Sequence, residues 1–139
     1  SALDDVTTVE NNLVSIYENY SENYTSYDKD GAYVTIMTNA VYGGNFNAKT
    51  GQKLSLNELF EENDLSDLEK EWVSAGQTER ELQNIADTDA WYLSRDGLTL
   101  CINGCETNYE NNAGKLRYRN VSCKTQVISY DKLSGLKND

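Results

Sequence analysis

Gly44-Asn45-Phe46-Asn47-Ala48-Lys49-Thr50-Gly51-Gln52-Lys53-Leu54-Ser55-Leu56-Asn57-Glu58-Leu59-Phe60 changes structural period twice within one short run. Lys49-Thr50-Gly51 places glycine where a tight connection needs a positive φ, and Lys53 to Leu56 resumes the alternation of a strand. Ser55-x-x-Glu58 then has the form of a capping box ahead of Leu59-Phe60. Strand, turn, strand and helix start in direct succession imply a mixed domain in which helices follow an antiparallel hairpin.

The pattern extends in both directions. Tyr33 to Val41 is rich in β-branched and aromatic residues and predicts a strand, which Gly43-Gly44 is expected to break. The segment before it is ambiguous: Val6, Val9, Leu13, Ile16, Tyr17 and Tyr20 fit helical spacing, whereas Leu13 to Tyr20 alone reads as a strand. Leu65, Leu68, Trp72 and Val73 share a helical face, with Ser66-x-x-Glu69 as the expected cap and Gly76 as the stop. Thr78-x-x-Glu81 opens a second helix striped by Leu82, Ile85 and Ala86. Trp91 to Ser94 and Leu98 to Cys101 flank Asp96-Gly97, a hairpin signal, and Asn103-Gly104 reads as a further turn. Glu106 to Gly114 reads as a long polar loop, followed by strand sequence in Leu116 to Tyr118 and Val121 to Tyr130. These elements predict an α+β fold with a mainly antiparallel β-sheet and two helices packed on one face.

Nothing divides the chain. It has 139 residues, no proline, no repeat and no low-complexity run, so residues 1–139 are read as one domain. That length buries roughly two-thirds of the unfolded surface in a single core. The net charge of −11 repels phosphate backbones and anionic lipid, which makes nucleic acid and membrane surfaces poor candidate partners and favours a cationic one. No stretch approaches the roughly 20 apolar residues of a membrane span, and a signal peptide or anchor is expected to have been removed.

The chemistry available is narrow. There is no histidine, so Ser-His-Asp and Cys-His catalysis cannot be assembled within this chain. Cys101, Cys105 and Cys123 lack a fourth thiolate or imidazole for a structural zinc site; one disulfide or buried thiols fits better. Asp28-Lys29-Asp30-Gly31 is similar to the start of a calcium loop, but Ala32, Tyr33 and Asn39 stand where that loop needs an oxygen, a glycine and a glutamate. No cofactor is implied, and no Asp or Glu can be singled out as a catalytic acid. Asn19-Tyr20-Ser21, Asn23-Tyr24-Thr25 and Asn120-Val121-Ser122 match the glycosylation acceptor pattern, read here as coincidence in an Asn-rich chain. Of the ten tyrosines, six fall between Tyr17 and Tyr42, where half-buried strands accommodate them. Tyr109 differs, sitting among Asn108, Glu110, Asn111 and Asn112, and is the candidate binding residue.

Together with Val127-Ile128-Ser129-Tyr130-Asp131-Lys132-Leu133, the opening stretch resembles an exported bacterial domain found in RsiV-type lysozyme-sensing anti-sigma factors and at the C-terminus of some peptidoglycan deacetylases. Leu13-Val14-Ser15-Ile16, Gly31-Ala32-Tyr33 and Trp91 to Leu100 look like further pieces of that domain, in the same order. The sequence departs from it at Ser129, where the family has proline, and through Glu106 to Lys124. The resemblance implies a noncatalytic, extracellular or cell-surface domain that binds a partner; with the negative charge and the absent histidine, the leading reading is a binding or sensing domain for lysozyme or another cationic wall-active protein. The alternatives are an accessory module for peptidoglycan or another glycan, for which exposed aromatics on one sheet face would be the mark, and a carboxylate-only glycan hydrolase. The family comparison also favours a strand from about Leu13, preceded by a short helix or frayed arm.

Overall fold

A computed structural model describes the backbone of residues 2–9, 13–27, 31, 33–110 and 116–137, and the side chains of 13–27, 31, 34–107 and 118–137. Six strands form one sheet: β1 (Ala2–Val9), β2 (Leu13–Tyr27), β3 (Tyr33–Asn47), β4 (Trp91–Leu93), β5 (Leu98–Glu110) and β6 (Leu116–Ile128), in the spatial order β1-β2-β3-β6-β5-β4. Two helices, α1 (Ser66–Ser74) and α2 (Glu79–Thr88), follow β3. The sheet is antiparallel except at its centre, where β3 and β6 run parallel over Tyr33–Thr38 and Leu116–Val121. The α+β arrangement expected from the sequence is the one observed.

The core lies on one face of β4 and β5. Trp91 and Leu93 alternate with half-buried Tyr92, and Leu98 and Leu100 pair with them across the ladder. Onto this face pack Leu68 and Trp72 of α1, Leu82 and Ile85 of α2, and Leu56, Leu59 and Phe60 from the connection after β3. The helical pairs are four and three residues apart, which puts each pair on one face. Trp91 Nε1 is buried there without a hydrogen-bond partner among the described residues, a cost of about 1–3 kcal/mol set against burial of the whole indole.

Local signals explain the helix ends. In α2, Thr78 Oγ1 accepts from the Glu81 N–H and the Glu81 carboxylate accepts from the Thr78 N–H, a complete capping box. Gly76, at φ +91°, closes α1: Gln77 N–H reaches the Trp72 carbonyl and Gly76 N–H the Val73 carbonyl, the paired bonds of a Schellman ending. Ser66 does not cap α1. It is the first helical residue, and its N–H and hydroxyl both donate to the Asp64 carboxylate. Asp64, two residues upstream, wins that contact, and the hydrogen bonds hold its carboxyl below the usual range. Ser55 N–H donates to the Glu58 carboxylate, but the segment it opens is a single 3-10 turn, Asn57–Leu59.

The strand boundaries differ from expectation at five further places. The first segment is strand from Ala2, paired antiparallel to β2, with no helix before Leu13 among the described residues. Gly43-Gly44 does not end β3, which continues to Asn47. A Cβ on Gly43 would sit 1.6 Å from the Trp91 carbonyl oxygen, so this glycine permits a close backbone approach. Lys53 to Leu56 does not resume a strand; pairing is confined to the single bridge Phe46 to Lys53. Asn103-Gly104 is a bulge inside β5, between Ile102 and Cys105, and not a turn. Glu106 to Glu110 is strand paired with β6; the rest of the expected loop, 111–114, lies outside the described residues. Asp28, Lys29 and Asp30 also lie outside them.

The Thr50-Gly51 turn forms as expected, with Gly51 at φ +73° and open space where a side chain would go. We therefore expect Gly51→Ala to cost about 1 kcal/mol, the left-handed penalty alone. Gly43→Ala instead drives a Cβ into the Trp91 backbone and should cost about 2 kcal/mol or more; urea midpoints of the two variants measure the difference. Thr78→Ala should cost about 1 kcal/mol through the lost cap. Ser66→Ala should stay within about 0.5 kcal/mol, and equal losses at both serine and threonine would contradict the assignment of the caps.

Candidate functional site

The strands outrun the core. From Glu18 to Tyr27 every residue of β2 is exposed, so the outer halves of β2, β3, β6 and β5 form a wing that no helix covers among the described residues. Pairing extends fully to its end, from Leu13–Asn47 at the core to Tyr27–Tyr33.

Register assigns side chains to faces. Glu18, Tyr20, Glu22 and Tyr24 lie opposite Tyr42, Ala40, Thr38 and Ile36, so all eight share one face. The Glu22–Thr38 rung continues through Val121 of β6 to Glu106 of β5. Tyr20, Tyr24 and Tyr42 are 38%, 47% and 42% exposed on this face. At about 3.4 Å per residue the three lie along a line of roughly 20 Å. Tyr27, Met37 and Tyr118 belong to the opposite face.

At the core end of the tyrosine row the sheet surface dips. Gly44 lies opposite Ile16, and the missing side chain opens a groove of about 330 Å³ among Ile16, Tyr17, Glu18, Tyr42, Gly43 and Phe46. Tyr17 itself turns inward and stacks on Tyr92, ring centroids 4.5 Å apart and planes inclined by 25°. The surface thus pairs flat apolar rings with carboxylates. Tyr20 donates its hydroxyl to Glu22, and Glu106 pairs with Arg119. That hydrogen bond, together with the charge of Glu22, pushes the Tyr20 phenol above its ordinary value, since ionisation would set two anions side by side.

Tyr109, the residue singled out by the sequence, is in β5 opposite Tyr118 and not in a loop; its side chain lies outside the described residues. Nothing in composition separates Tyr20, Tyr24 and Tyr42 from the other tyrosines. The available signal is parity, because Tyr20 and Tyr24 are even-numbered in a strand whose inward residues, Ser15 and Tyr17, are odd. Among the described residues, no three Cys, Asp or Glu side chains converge as metal ligands, and no helix is long and apolar enough to cross a membrane.

Glu22→Gln should return the Tyr20 titration toward the ordinary tyrosine value of about 10, as followed by ultraviolet absorbance. The raised folded pKa makes a small stabilising contribution, present below the unfolded value and lost as pH rises through the folded one; in the variant that contribution should be missing at neutral pH, and the decline of stability on the alkaline side should flatten accordingly.

Comparison of the chain with protein-family models, with curated proteins and with solved structures found no match in any of the three.

Proposed function

We propose that this chain is a noncatalytic, exported cell-envelope domain that binds its partner across the tyrosine face of β2 and β3. The observation that carries this reading is the placement of Tyr20, Tyr24 and Tyr42 on one exposed sheet face beside Glu18 and Glu22. Tyrosine suits a binding surface because it offers a large rigid contact area and a polar tip at small entropic cost.

A lysozyme-like cationic protein is the leading partner. The resemblance to lysozyme-sensing domains supports it, as do the net charge of −11 and the carboxylates interleaved with the tyrosines. Long-range charge steers such a protein to the surface, while the rings supply the desolvated centre that makes a complex specific. The second reading, a glycan of the cell wall, draws on the tyrosine row itself: sugar rings lie flat on exposed aromatic faces, and Glu18 and Glu22 can accept their hydroxyls.

Titration calorimetry at physiological salt, where the Debye length is about 8 Å, separates these cases. Lysozyme should bind while an unrelated basic protein does not, and Tyr20→Ala or Tyr24→Ala should weaken the complex by about 2 kcal/mol, roughly 30-fold. Tyr109→Ala tests the residue named from the sequence. Binding of soluble peptidoglycan fragments with no response to lysozyme would select the glycan. Equal binding of both basic proteins, or turnover of glycan abolished by one carboxylate substitution, would overturn the proposal.

A further inference from the structure

Three cysteines permit three pairings, and the register selects one. Cys105 lies opposite Ser122, so Cys123, the next residue of β6, projects to the other face of the sheet. Cys101 lies opposite Thr125, two residues beyond Cys123, which puts Cys101 and Cys123 on the same face as diagonal neighbours. Diagonal neighbours in a regular ladder are too far apart for a disulfide, but the bulge between Ile102 and Cys105 faces this part of β6, and bulges add local twist. Cys101 and Cys123 lie near enough for each to act on the ionisation of the other. Cys105 turns away and donates to the Ile102 carbonyl at 3.6 Å.

We propose that Cys101 and Cys123 form a reversible disulfide that staples β5 to β6 where these strands leave the core, made by thiol–disulfide exchange with a small disulfide of the glutathione class. This goes beyond the binding reading and does not depend on it. The two sulfurs have different roles. Cys101 is buried, and its interaction with Cys123, together with burial, holds the proton on Cys101 while favouring the thiolate at Cys123. Cys123 is half-buried and adjoins the backbone of Val41. Its thiolate attacks one sulfur of oxidised glutathione, forming a mixed disulfide and releasing one glutathione thiolate. Cys101 then loses its proton to the released thiolate and attacks the Cys123 sulfur, forming the intramolecular bond and expelling the second glutathione as thiolate. Two protein thiols are oxidised by two electrons, and one glutathione disulfide is reduced by the same two.

The test uses the full chain, incubated natively in glutathione buffers of increasing oxidation and then alkylated and mapped by mass spectrometry. Free thiols should fall from three to one, with Cys101 joined to Cys123 and Cys105 still alkylated. Cys105→Ser should leave the bridge intact, and Cys123→Ser, a change at a half-buried position, should abolish it while leaving the fold. The oxidised chain should melt several degrees above the reduced one, since the bond closes the chain from Cys101 to Cys123. Three free thiols under oxidising conditions, a bridge to Cys105, a persistent glutathione adduct on Cys123, or a Cys101–Cys123 bond formed only in denaturant would each overturn the proposal.

Discussion

The carbonyl of Trp91 meets β3 at two residues: Asn45 donates to it at 3.0 Å, and Gly43 has no side chain to obstruct it. Around that oxygen the outer edge of β4 is closed by side chains in place of a seventh strand. Ser15 accepts the Leu93 N–H at 2.7 Å and donates to Asn45. Gly43 N–H bonds the Asp89 carbonyl at the end of α2, and the Asp89 carboxylate pairs with Lys53 at 2.9 Å. Ser15 and Asn45 are almost wholly buried, so each unmade bond would carry the full desolvation cost of its group. Their satisfaction fixes β4 against β2 and β3, and with it the floor on which both helices pack.

A second side chain does comparable work where the sheet divides. Beyond Thr38 the parallel pairing of β3 with β6 ends, and Asn103, carried on the β5 bulge, takes over. Its amide accepts the Val41 N–H and donates to the Val41 carbonyl, each at 3.0 Å, as a neighbouring strand would. The molecule therefore has a tightly packed half, built on β4 and the helices, and a half of paired strand, carrying the tyrosine row, that no helix covers among the described residues. The rings of that row are held rigidly, because each is anchored in a ladder and not in a loop.

Much of this was legible where chemistry is local. The Thr78 capping box, the Gly76 stop, the Thr50-Gly51 turn and the Asp96-Gly97 hairpin each follow from residues within a few positions of one another. The Gly43-Gly44 pair reads as a strand end because its reason, the Trp91 carbonyl, lies far along the chain. Asn103-Gly104 has turn chemistry, yet the strand continues past it since β6 remains available as partner. Glu106-Thr107-Asn108-Tyr109-Glu110 is polar at nearly every position, so it lacks the apolar alternation by which strands are recognised. The tyrosine face has the same difficulty: its residues are visible in the sequence, but their common side emerges only once β2 and β3 are in register. Ser66 carried a valid capping motif and lost its role to Asp64, a competing acceptor two residues away.

The parallel junction between β3 and β6 also sets the order in which the chain assembles. The β2–β3 and β5–β6 hairpins are local and can close early, whereas their junction must wait until the connection, both helices and β4 have been gathered. Contacts between distant segments form late and slowly. Until then Ser15 and Asn45 remain hydrated and the two hairpins present open edges to solvent. On a ribosome the first hairpin would emerge well before its partner, so the most exposed moment in the life of this fold is the interval between synthesis of β3 and arrival of β6.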